Sequence, residues 1–250
     1  MSYGVFASYY DALTKNVNYA GYARRVDKLL RQYGITGGTV LDVACGTASL
    51  SIELFMLGYS VAGVDISEDM INAALDKKEI HDNINSGIQL FSQDMRYFSL
   101  PLCADAAVCS LDALNHLDSI EDIKKCFLSV RKHLCDGGIF IFDMNTPYKH
   151  EHILGDNTFV YDVPEVYAVW QNSFSPEDYT VDMTLDLFAN KNGVYERHNE
   201  NIREKAYRRS VILSALSSCG FEPLDMFDEL KNRAPRYDTE RILYVAMKKD

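Results

Sequence analysis

Short apolar runs alternate with amphipathic stretches along most of the chain. Val40, Leu41 and Val43 end in small residues, Ala44-Cys45-Gly46-Thr47-Ala48, and an amphipathic segment follows from Leu50 to Leu57. That order predicts strand, tight turn, helix. A second apolar run, Tyr59 to Asp65, leads into Ser67-Glu68-Asp69-Met70-Ile71, where Ser67 reads as a helix cap with acids in the first turn. Gly87 to Phe91 reads as a third strand and Asp105 to Cys109 as a fourth. Ile120 to Leu134 carries Ile123, Phe127, Val130 and Leu134 at helical spacing, and the expected stop is Asp136-Gly137-Gly138. Ile139 to Asp143 is the fifth strand.

From Asn157 to Lys205 the period changes to two. Val166 to Trp170 and Thr180 to Phe188 alternate apolar with polar, and Asn192-Gly193 marks a hairpin. A small antiparallel sheet, half solvated, is expected there. Helical spacing returns at Tyr207 to Cys219, stopped by Gly220, and Phe221 to Leu230 and Thr239 to Lys248 read as two last strands. The first 34 residues hold Tyr3, Tyr9, Tyr10, Tyr19, Tyr22 and Tyr33, with Tyr19, Val26, Leu29 and Leu30 helically spaced, so a helical cap over the sheet edge is expected. Its rings serve as core, or close a pocket and hydrogen-bond a carboxylate.

Strand-turn-helix units put ligands at the carboxyl ends of strands, where small side chains let a ligand approach the backbone. Asp42 stands just before the turn. A carboxylate there repels a pyrophosphate and attracts an ammonium or sulfonium, which favours a cationic adenosyl compound over a dinucleotide. Asp65 follows 23 residues later at the second strand end, placed to accept ribose hydroxyls. Asp94 is the third acid, after the third strand; a carboxylate beside a backbone N–H matches the donor and acceptor edge of adenine.

DVACGTA, V-x-G-V-D-x-S-x-x-M and L-x-x-G-G-x-x-x-F-D resemble motifs of the class I S-adenosylmethionine-dependent methyltransferases. The first departs from the usual glycine pattern at Ala44 and Ala48, and alanine tolerates positive φ poorly. Y-x-x-F-A-x-x-Y-D-x-L at the start resembles a bacterial subfamily of small methyltransferases. The resemblance implies an α/β fold: a Rossmann-like, doubly wound, seven-stranded, mostly parallel sheet with a small antiparallel β insert as lid. It divides the chain into an N-terminal helical cap (1–34), a donor-binding domain (35–150 plus 206–250) and the lid (151–205).

It further implies that S-adenosylmethionine is held by Tyr10, Tyr19, Asp42, Ala44, Cys45, Gly46, Asp65, Ile66, Met70, Asp94, Met95 and Ser110. On the substrate side stand His116, a general base for a hydroxyl acceptor, with Asn115 and Tyr148. Asp112 is expected to fix its loop by capping local N–H groups. The insert is a substrate-selecting lid or, alternatively, a dimerisation surface.

Composition narrows the partners. The 250 residues are 47% hydrophobic and 24% charged, as in ordinary globular chains long enough for a large core. A net charge of -11 repels a phosphate backbone, and the cluster Arg203-Glu204-Lys205 with Arg208-Arg209 reads as a solvated mixed-charge face. A small-molecule acceptor is therefore expected, and nucleic acid is disfavoured. No run reaches membrane-span length and MSYGVFASYYD lacks a leader pattern, so a cytoplasmic location is expected. Six scattered cysteines read as reduced core thiols, and no metal-ligand spacing occurs. Two rivals remain: an NAD-dependent oxidoreductase, against which stand Asp42 and Ser49 at the third glycine position, and a non-catalytic adenosyl-binding protein.

Overall fold

The computed structural model describes residues 4–80, 87–229, 231 and 233–249. Tyr3 and Leu230 lie outside them. The elements run α1 (Gly4–Leu13), α2 (Tyr19–Gln32), β1 (Thr39–Val43), α3 (Ser49–Met56), β2 (Ser60–Asp65), α4 (Glu68–Ile80), β3 (Ile88–Ser92) and β4 (Ala104–Cys109). A 3-10 turn, Ala113–His116, precedes α5 (Ile120–His133) and β5 (Leu134–Asn145). After a π-helical turn, Lys149–Leu154, come β6 (Thr158–Val163), β7 (Val166–Ser175), β8 (Thr180–Lys191) and β9 (Val194–Lys205). The chain closes with α6 (Arg209–Ser218), β10 (Phe221–Asp228) and β11 (Arg241–Lys248).

Seven strands form one sheet in the order β10-β11-β5-β4-β1-β2-β3, and only β11 runs antiparallel to its neighbours. The order reverses between β1 and β4, which puts the ligand crevice above their carboxyl ends. The near-continuous apolar strands are what a sheet covered on both faces requires. Val40, Val61, Val108 and Ile141 pack with Leu30, Leu50 and Leu54 on one face. Leu41, Val64, Phe140 and Phe142 pack with Ile123, Phe127 and Ile212 on the other. Each such buried side chain contributes about 1.5–3 kcal/mol. The second sheet, β6-β7-β8-β9, is antiparallel throughout. Its β8–β9 hairpin turns at Asn192 (φ 55°) and Gly193 (φ 86°), as a primed two-residue turn demands.

Four expectations are corrected. The N-terminal segment does not cap the sheet edge: α2 lies on a sheet face, with Ala23, Val26 and Leu30 in its core, and α1 packs Phe6, Tyr9 and Leu13 on the second sheet. Helix α5 is not stopped by the glycines. It ends at His133, and Leu134 is already extended and paired with Ala104, so the glycines fall in an irregularity of β5 where the register shifts. Cys103 and Cys135 form a disulfide, because that same pairing brings their Cα atoms to 5.3 Å; Cys45, Cys109, Cys126 and Cys219 are free and buried. Asp112 does not cap its loop; Asp143 does, accepting from the N–H groups of Leu111 and Asp112. No helix among the described residues is long and apolar enough to cross a membrane.

Candidate active site

The turn after β1 is left-handed at three alternate positions, Ala44 (φ 58°), Gly46 (φ 53°) and Ala48 (φ 58°). Two of these are alanines, a conformation that costs an L-residue about 1–2 kcal/mol. The turn is held open from below. Asp65 accepts from Gly46 N at 2.8 Å and from Ser67 N at 2.9 Å, so the tip of β2 fixes both the turn and the start of α4. Ser67 Oγ in turn caps Met70 N. A side chain at Gly63 would meet Leu90 at 2.7 Å and Cys45 Sγ at 2.9 Å, so β2 needs a bare backbone where the turn folds over it.

Asp42, 1% exposed, accepts from Ser51 Oγ at 2.5 Å through Oδ2, while its Oδ1 has no hydrogen-bond partner. Burial pushes its carboxyl up to about 7, the nearby Asp65 adding to the effect. Burial also raises Asp65. Asp94 goes the other way despite burial, because Arg96 donates from its backbone N and its guanidinium to both oxygens. Arg96 also reaches Asp122 at 3.4 Å.

At the end of β4, Leu111 and Asp112 take consecutive positive φ values of 56°. Tyr22 Oη donates to Asp143 Oδ2 at 2.6 Å, the oxygen that also accepts from Leu111 N. Although burial alone would raise Asp112, Arg241, 2.8 Å away, with Lys149 and His116 holds it down at about 2.

One cavity of about 700 Å³ joins these groups. Its floor is the strand tips, α1 forms one wall, and the inner face of the second sheet is the roof. Every one of the twelve residues expected to hold the donor lines it, and so does His116. Asn115 and Tyr148 do not. Asn115 is fully buried, donating to the carbonyls of Asn145 and Lys205 and accepting from Asn145 N, and the Tyr148 ring packs edge-on against His152.

Glu204 is the residue the sequence reading missed. Far from solvated, it is 5% exposed and lines the cavity, with Oε2 accepting from Asn145 Nδ2 at 3.1 Å. Its Oε1 lies 4.0 Å from His116 Nε2 and its Oε2 3.4 Å from His150 Nε2. The strand period was the available signal. Arg203 and Lys205 pair outward with Asp182 and Asp178, which turns the residue between them inward.

Residues 40–138 match a family model described as a methyltransferase domain. A protein of Geobacillus sp. (strain WCH70) bearing a methyltransferase name, with no acceptor specified, is 31% identical over 99% of this chain and 100% of its own. A Bacillus subtilis (strain 168) protein of similar name is 28% identical over 99% and 98%. The crystal structure of an S-adenosylmethionine-dependent methyltransferase from Clostridium acetobutylicum superposes with a TM-score of 0.87 at 31% identity, covering 99% of each chain. This chain belongs to the class I S-adenosylmethionine-dependent methyltransferases. The methyltransferase uses S-adenosylmethionine as its donor, and the residues present fit that group: small turn residues leave room at the backbone, and the unpartnered Oδ1 of Asp42 is what an ammonium satisfies.

Proposed function

We propose that the methyltransferase moves a methyl group from S-adenosylmethionine to a small molecule held beneath residues 151–205, with His116 as the proton acceptor. On this reading Asp42 faces the donor's ammonium, Asp65 its ribose hydroxyls, Asp94 with the Met95 N–H its adenine, and Tyr10 and Tyr19 its carboxylate. Residues 1–34 cap the donor, and 35–150 with 206–250 carry it. The donor supplies an already activated methyl group, so the protein's work is to bind, align a nucleophile and exclude water. Asn115 and Tyr148 drop out of the substrate side because neither lines the cavity. The cytoplasm is the compartment we propose: four of the six cysteines are free, buried thiols, and the Cys103–Cys135 disulfide is the feature that argues for an oxidising compartment instead.

The observation that carries the reading is the convergence of Asp42, Asp65 and Asp94 on one cavity with one carboxylate oxygen left unpartnered. Calorimetry with S-adenosylhomocysteine tests it: the parent protein binds, and Asp65→Ala weakens binding about 10–100-fold by removing a charge-assisted acceptor. NAD is expected to give no thermal stabilisation. Stabilisation by NAD but not by S-adenosylhomocysteine, or unchanged affinity in Asp65→Ala, overturns the reading.

A further inference from the structure

We propose that the acceptor is an amine carried on an apolar body, bound as its ammonium by Glu204 and relieved of a proton by His116. The inference rests on the methyltransferase reading and specifies the chemistry of its second subsite. Glu204 reaches the cavity from the penultimate position of β9, as part of the lid, and its neighbours decide what it can bind. Two cations stand nearby, and neither forms an ion pair with Glu204, although the Lys149 charge acts on it at longer range. Arg241 pairs with Asp112 and reaches Asp143 at 3.7 Å, and Lys149 Nζ donates to Asn145 Oδ1 at 2.8 Å. Among the described residues no lysine or arginine nitrogen lies within 4 Å of Glu204; its ion-pair neighbours are the imidazoles of His116 and His150.

A buried carboxylate without a fixed cation is costly, and a cationic ligand group removes that cost. An alcohol brings no positive charge into contact with the carboxylate, and a carboxylate ligand adds a second negative one. The geometry also suits a nitrogen that must both be held and be deprotonated. A nitrogen about 2.8 Å from Glu204 Oε1 and about 2.8 Å from His116 Nε2 closes a triangle on their 4.0 Å separation. One N–H then donates to the carboxylate while another points its proton at the imidazole. The proton passes to His116 Nε2, the freed lone pair forms the new nitrogen–carbon bond, and the sulfur–carbon pair of the donor returns to sulfur. Glu204 remains beside the imidazolium it has helped to form.

The rest of the chamber gives the body of the acceptor. Phe159 and Tyr161 of β6, Trp170 of β7, Met183 and Leu185 of β8 and Ile202 of β9 line the cavity from the inner face of the lid, so all four strands contribute apolar side chains to it. Such a surface contributes by removing apolar area from water, and it offers little to a highly hydroxylated or phosphorylated body.

The experiment is calorimetry on protein saturated with S-adenosylhomocysteine, titrated with 2-phenylethylamine, hexylamine, 2-phenylethanol and 3-phenylpropanoate, followed by labelled methyl transfer from S-adenosylmethionine. The amines are expected to bind and to be methylated, and the alcohol and the acid to do neither. Glu204→Gln, which keeps the hydrogen bond from Asn145, is expected to weaken amine binding about 10–100-fold while donor-product affinity stays within about twofold. Preference for the alcohol or the acid, no binding of either amine, or equal amine affinity in Glu204→Gln overturns the proposal. Failure of S-adenosylhomocysteine to bind overturns the parent reading, and this one with it.

Discussion

Asp42 is a carboxylate that burial holds protonated up to about 7, against an ordinary value of 3.8. The folded chain therefore keeps a proton that the unfolded chain releases, and stability falls as pH rises from about 4 to about 7, by roughly 4 kcal/mol in total. A ligand ammonium favours the ionised form. Affinity for S-adenosylhomocysteine is accordingly expected to rise with pH up to and through about 7, by as much as tenfold per unit below it, and to level off above. Calorimetry between pH 6 and 8 reads this slope. Asp42→Asn is expected to flatten it, and a slope that persists in that variant, or that runs downward, contradicts the assignment. Burial also raises Asp65, but neutral ribose hydroxyls at that carboxylate couple weakly to its charge.

Residues of this kind were legible in the sequence because each sits where an apolar run ends, and strand ends in an α/β sheet share one edge. Asn115, Tyr148 and Glu204 were not. Chemistry read from residue type says nothing of direction, and the direction of each was set by tertiary contacts: a buried amide staple, an imidazole neighbour, and the inward phase of a strand whose outward residues are charged.

At the scale of elements, α1 stands between the cavity and the second sheet. It carries Tyr10 to the cavity and is tied to the turn after β1 through Asp11. Thr47 Oγ1 donates to Asp11 at 2.7 Å, and Lys77 Nζ of α4 reaches Asp11 at 2.5 Å, Thr47 at 2.9 Å and Ser49 at 2.8 Å. Burial holds the Lys77 ammonium below its usual range, so the clamp is partly desolvated, although the Asp11 side chain is 45% exposed. Lys77→Ala is expected to leave global stability within about 1 kcal/mol, since a half-exposed pair contributes little. It is expected to speed amide exchange along 6–13 and weaken S-adenosylhomocysteine binding severalfold. Hydrogen exchange with and without ligand checks both, and unchanged protection of α1 would show that packing on the lid suffices without the clamp. Most elements were legible from period alone, including the hairpin at Asn192-Gly193. What misled was punctuation: glycines after α5 looked like a helix stop, yet strand pairing from Leu134 had already taken over. For the N-terminal helices, amphipathic spacing fixes which side is buried and leaves the partner open, so a sheet edge and a sheet face are not told apart by it.

The whole molecule is two sheets that must stay in register for one cavity to exist, and the tie between them is small. Phe6, Tyr9 and Leu13 pack against the second sheet from one end, and Leu154 from the other. Polar continuity between the lid and the main sheet runs through Asn115, whose amide joins β5 to the carbonyl of Lys205 at 2.9 Å, and through Asn145, which donates to Glu204. Asn115→Ala strands the Lys205 carbonyl and the Asn145 N–H, which Asn115 Oδ1 accepts at 2.9 Å, in a place without water. Each orphan costs about 1–3 kcal/mol, so a loss of about 2–6 kcal/mol and a Tm lower by about 4–24 °C are expected. Because the tie lies on the lid side, S-adenosylhomocysteine affinity is expected to change little while methyl transfer falls. Urea unfolding with the m-value held, set beside calorimetry, separates this from a direct role on the acceptor. A variant with parental stability and impaired transfer would return Asn115 to the substrate.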